Sequence, residues 1–171
     1  MILKRFFQPA PRPERSCYEA IVAAARHPRF YAEWGVADTL DGRFDMISLH
    51  GFLVLDRLKG SESVFRQALV DELFADMDRS LREMGVGDIS VGKKVRKMAE
   101  VFYGRVTAYD QALSGSEGAL ESAIARNIFP DGPEGPGAGL LAAYVAGQRA
   151  HLASQDPGTI AGGTVLFKEP A

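Results

Sequence analysis

Arg43-Phe-Asp-Met-Ile-Ser-Leu-His-Gly-Phe-Leu-Val-Leu-Asp-Arg-Leu-Lys59 decides the fold class. At about 100° per residue, Phe44, Met46, Ile47, Leu49, Phe52, Leu53, Val54, Leu55 and Leu58 fall nearly all round a helical wheel. A helix apolar on every side is buried or grips an apolar partner. The segments around it must therefore supply its cover, and they read as helices too.

Downstream, Leu69, Val70, Leu73, Phe74, Met77, Leu81 and Met84 share one arc of a helix over Val64–Met84, with acidic and basic residues on the other. Asp88 caps a further expected helix to about Leu113, whose Val91, Val95, Met98, Phe102, Val106 and Tyr109 share a face. Ser114-Gly-Ser-Glu117 resembles a capping box that opens a helix to about Phe129. The turn-rich Pro130–Gly137 stretch follows, then a helix over Leu140–Leu152 with a small face of Ala143, Ala146, Gly147 and Ala150. Upstream, Ser16-Cys-Tyr-Glu19 matches another capping box, for a helix ending near His27, before Pro28. The aromatic stretch Phe30–Gly35 reads as a structured loop or short helical turns. Thr159-Ile-Ala-Gly-Gly-Thr-Val-Leu-Phe167 is β-branched but has no partner strand in the sequence. The expectation is all-α: a single domain of about six helices over 16–154, with flexible tails at 1–15 and 155–171.

At 171 residues, 46% of them apolar, the chain suits one domain with a real core and excludes a disordered linker. Twenty basic against 22 acidic residues give no bulk attraction for nucleic acid, and no DNA partner is expected. A single cysteine, Cys17, closes no intramolecular disulfide and fits a reducing compartment. The longest apolar run, Leu140–Ala146, falls well short of the roughly 18 residues a membrane span needs. The opening Met1–Phe7 runs into Pro9, Pro11 and Pro13 and does not fit a secretory signal.

The motifs that could carry chemistry are incomplete. Gly87-Asp-Ile-Ser-Val-Gly-Lys93-Lys94 nearly spells a phosphate-cradling loop, but Lys94 replaces the magnesium-binding hydroxyl and a helix precedes it. Gly137-Ala-Gly-Leu-Leu-Ala142 fits the dinucleotide fingerprint only formally, because no strand leads into it. Asp71, Glu72, Asp76 and Asp78 raise the alternative of a magnesium-dependent helical enzyme acting on a diphosphate, yet interleaved arginines favour a solvated ion-pair face. His27, His50 and His151 lie far apart without metal-ligand spacing, and Cys17 and Ser48 have no adjacent base. Lys93-Lys-Val-Arg-Lys97 stands out. It places four cations at a helix start, where the macrodipole favours anions, and so reads as a docking patch for RNA, anionic lipid or an acidic protein face. An RNA-binding module is thus a second alternative.

Two long strings are more specific: Trp34-Gly-Val-Ala-Asp-Thr-Leu-Asp-Gly-Arg-Phe-Asp-Met-Ile-Ser-Leu-His50 and Leu73-Phe-Ala-Asp-Met-Asp-Arg-Ser-Leu-Arg-Glu-Met-Gly-Val-Gly-Asp-Ile-Ser-Val-Gly-Lys-Lys94. With Met98-Ala-Glu-Val-Phe-Tyr-Gly-Arg105 they closely resemble the ubiquinol-cytochrome c chaperone family. The resemblance runs from Tyr18 and thins after about Leu120. It implies an all-helical, non-enzymatic assembly factor of the respiratory cytochrome bc complex that binds newly made cytochrome b and, in mitochondria, works near the ribosome. It implies no catalytic residue, cofactor, metal or small-molecule substrate. For this chain the implied setting is bacterial: the cytoplasm, at the inner face of the membrane. Candidates for client contact are Trp34, Arg43, His50 and Phe52. Lys93, Lys94, Arg96 and Lys97 are the candidates for an anionic partner, either ribosome or membrane surface.

Overall fold

The all-round apolar helix sits at the centre. In the computed structural model, which describes residues 12–132 and 135–171, it is α3 (Leu40–Arg57), and every residue from Phe44 to Leu55 is buried. Thr39 starts it, its side-chain oxygen accepting from the Gly42 amide at 3.1 Å. Gly42 is required for space, because a Cβ there would lie 1.9 Å from the Ala37 carbonyl oxygen.

Around α3 run α1 (Pro13–Ala25), α4 (Ser63–Glu83), α5 (Asp88–Leu113), α6 (Ala119–Ile128) and α7 (Gly137–Ala153). Each packs on the next in the ring α1, α4, α5, α6, α7, and α1, α5, α6 and α7 also touch α3. Two short helices, α2 (Pro28–Ala32) and α8 (Pro157–Ala161), complete the eight among the described residues, which contain no strand. The expected all-α single domain is what the chain forms. No helix among the described residues is long and apolar enough to cross a membrane.

Several boundaries differ from expectation, each for a local reason. The Ser16 capping box is not used; α1 begins at Pro13, whose fixed φ and missing N–H suit the first helical position, and the Arg15 and Ser16 amides bond to the Arg12 carbonyl. Ser114–Glu117 is likewise a turn, and α6 starts after Gly118 in the left-handed region (φ +80°). Helix α7 starts at Gly137, three residues early, and glycine is needed there because a Cβ would meet the Trp34 carbonyl oxygen at 2.1 Å. Its small face of Ala143, Ala146, Gly147 and Ala150 is exposed, while Ala138, Leu141, Val145, Gln148 and Leu152 face inward.

The tails also need correction. Residues 1–11 lie outside the described residues, but Arg12 and Arg15 are tied down, both paired with the buried Glu72 carboxylate of α4 at 2.5 and 2.8 Å. Residues 155–171 are no loose tail. Ile160 of α8 is fully buried, and Val165 and Pro170 of the extended stretch that follows are buried as well.

Candidate functional site

An aromatic cluster joins α2, α3, α7 and the last extended segment. Phe30 of α2 meets Trp34, His50 and Tyr144 edge-on at centroid distances of 5.3, 5.7 and 5.1 Å. Phe167 closes over His50 at 5.3 Å. His50 is wholly buried; its Nδ1–H donates to the Met46 carbonyl at 2.8 Å, which leaves Nε2 to accept from the Tyr144 hydroxyl at 2.9 Å. Burial pushes its pKa down to about 4, so the ring is neutral at physiological pH and works as a core hydrogen-bonding unit.

The four client-contact candidates do not converge. Trp34 is 6% exposed and lines a cavity of about 260 Å³ with Leu140, Tyr144 and Gly147. Phe52, 2% exposed, stands on the floor of a different groove of about 490 Å³, formed with Leu55, Arg66, Phe102, Tyr103 and Val106 between α3, α4 and α5. Arg43 is exposed beside a third depression, where it holds the Asp38 carboxylate at 2.7 Å and lowers its pKa. Helices α2 and α7 close over the Trp34 side chain, and of the four candidates only Arg43 presents itself to solvent.

The basic stretch behaves otherwise. Lys93, Lys94, Arg96 and Lys97 are all exposed in the first turns of α5, and of these only Lys97 has an ion-pair partner among the described residues, Glu100 at 3.3 Å. Ile89, one turn before Lys93, is 86% exposed. Gly87 to Lys94 thus form a helix start that follows α4 and the Gly85 turn, and not a strand-to-helix phosphate loop.

The acidic row is occupied by arginines and a tyrosine. Glu72 is taken by Arg12 and Arg15, Asp76 by the Tyr18 hydroxyl at 2.8 Å and by Arg79, and Asp78 by Arg82. No cluster of three potential metal ligands forms among the described residues. Glu72 and Asp76 fasten α1 to α4, a role that spacing within one helix could not reveal, whereas Asp71 and Asp78 are held within α4 by Gln67 and Arg82. A second buried charge was also missed: Asp45 meets Arg105 at 2.5 Å, without hydrogen-bond alignment. Desolvation outweighs the Arg105 charge and pushes Asp45 up to about 6. Cys17 is buried, its thiol pushed up to about 12, and is inert as a nucleophile.

Comparison with known proteins now adds the decisive observation. The sequence profile described as ubiquinol-cytochrome C chaperone matches residues 32–167. The chain belongs to this family. Among its relatives, the ubiquinol-cytochrome-c reductase complex assembly factor 1 of Xenopus laevis is 24% identical over 115 residues, covering 66% of this chain and 58% of that protein. The human protein of that name is 26% identical over 143 residues, 81% of this chain and 48% of its own length. The chain thus spans about half the length of the curated relatives it matches. The crystal structure of the Cbp3 homolog from Brucella abortus superposes with a TM-score of 0.81 at 44% identity, covering 92% of this chain and 89% of that chain.

Proposed function

We propose that this chaperone binds newly made cytochrome b without catalysing a reaction, and so promotes assembly of the ubiquinol-cytochrome c reductase complex from the cytoplasmic face of the membrane. The observation that carries the reading is the family match over residues 32–167, together with the assembly-factor names of the relatives. The outward set of Lys93, Lys94, Arg96 and Lys97 beside exposed Ile89 supports a station at an anionic bilayer, where each surface cation contributes about 1 kcal/mol. Of the four client-contact positions, Arg43 is the one a client reaches directly, while Trp34, His50 and Phe52 are buried elsewhere in the core.

The test is a photo-crosslinker in place of Arg43 in living cells, since substitution at buried Trp34 would disturb packing. Capture of cytochrome b is expected. Failure to capture it, with the protein folded and the reductase complex assembling normally in a strain without the gene, would overturn the reading. For the basic patch, sedimentation with anionic vesicles is expected to disappear when all four cations are reversed. Loss of ribosome association instead, with vesicle binding unchanged, would move the patch to RNA.

A further inference from the structure

Residues 164–170 lie across the seam between α1 and α7 in a manner usual for a bound peptide. The Gln148 carboxamide donates to the Lys168 carbonyl at 2.6 Å and accepts from the Lys168 amide at 3.1 Å. Gln155 does the same two residues earlier, donating to the Leu166 carbonyl at 2.7 Å and accepting from its amide at 3.0 Å. Arg29 donates to the Pro170 carbonyl at 3.1 Å. These contacts read backbone groups, as the edge of a sheet would, and are indifferent to side-chain identity.

Side-chain placement follows the two-residue period of an extended chain. Val165 and Phe167 turn inward, Phe167 onto His50, while Leu166 and Lys168 face solvent. A surface groove of about 290 Å³ runs between the segment and Ala20, Ala23 and Ala24 of α1, and the groove beside Trp34 flanks its other side. The tether leading into it is Gly162–Gly163, with Gly163 at φ +97°.

We propose that the seam between α1 and α7 is a binding site for an extended peptide with apolar residues at alternate positions, supplied by an unassembled client chain, and that residues 164–170 are its exchangeable occupant. The inference rests on the client-binding reading for the source of that peptide. Release of the segment would uncover His50 and the aromatic cluster above α3, and the glutamines would pair with whichever backbone arrived.

The test uses the full chain and a fluorescent peptide with the sequence of residues 162–171. A double variant, Val165→Asp with Phe167→Asp, weakens docking of the internal segment. If the segment fills the seam most of the time, the variant binds the peptide about tenfold tighter than the wild type or better. Adding Gln148→Ala and Gln155→Ala removes that gain. Equal or absent binding by a folded double variant overturns the proposal. Should the variant fail to fold, amide exchange at Leu166 and Lys168 in the wild type decides: acceleration by saturating peptide supports exchange, and unchanged protection refutes it. A dimer that forms by swapping this segment would assign the seam to a second copy and overturn the client assignment. Capture of cytochrome b through Arg43 without peptide binding would remove this inference and leave the client reading standing, whereas peptide binding without capture would leave an exchangeable seam and overturn the client as the source of its peptide.

Discussion

The two strings that identify the family face opposite ways. Trp34–His50 buries its two ends, with Trp34 and His50 in the cluster around Phe30 and Tyr144 and Phe44–Leu49 in the core, whereas the end of the second string, at the start of α5, holds its cations in solvent. A family signature thus marks two different constraints. One concerns how α3 is enclosed, the other what the surface offers to a partner. Substitutions in the first should act through stability, and in the second through binding.

The strongest way to sharpen that contrast is truncation inside α3. Phe52→Ala is expected to cost about 3 to 5 kcal/mol in chemical denaturation, because a fully enclosed aromatic leaves a cavity, while Ile89→Ala on exposed α5 should stay within about 0.5 kcal/mol. Equal costs at the two sites would break the comparison.

The buried titratable groups offer the next test. His50 has its pKa depressed from 6.5 to about 4, so its contribution is present above 6.5 and lost as pH falls through 4, by roughly 3 kcal/mol. Asp45 runs the other way. Raised from 3.8 to about 6, it contributes below 3.8 and loses that contribution as pH rises through 6. The two slopes oppose each other between pH 4 and 6. Asp45→Asn should therefore expose a steep loss of stability on acidification, and His50→Gln a stability that falls as pH rises over that interval, both measurable as unfolding free energy against pH.

A smaller effect is expected at the α1–α4 clamp. Glu72→Ala removes two charge-assisted contacts but leaves arginines that reach water, which points to a cost of about 2 kcal/mol by denaturant titration. Reversal of Lys93, Lys94, Arg96 and Lys97 should change stability least, within about 0.5 kcal/mol, since acidic side chains are favoured at a helix start. The same variant should lose sedimentation with anionic vesicles.

Much of the helical scaffold was legible because helical periodicity is a property of neighbours in sequence. The central helix, the amphipathic faces of α4 and α5 and the outward basic stretch all follow from residues three or four apart. What escaped depended on distant partners. Ser16 looks like a cap until Pro13 begins the helix sooner, and Glu72 looks solvated until Arg12 and Arg15 arrive from α1. The β-branched end seemed to lack a strand to pair with, since no pattern in a sequence says that Gln148 and Gln155 can stand in for one.

The sequence by itself determined that this chain is an all-helical member of its chaperone family, with a core helix and a basic surface stretch, because apolar periodicity and long specific strings are local records. Only the tertiary structure decided that Trp34 and His50 share one enclosed cluster while Phe52 lies under a separate groove, that Glu72 and Asp76 are a clamp, and that the last residues fill a seam. Burial and pairing depend on which side chains meet across the fold, and each of those meetings joins positions tens of residues apart.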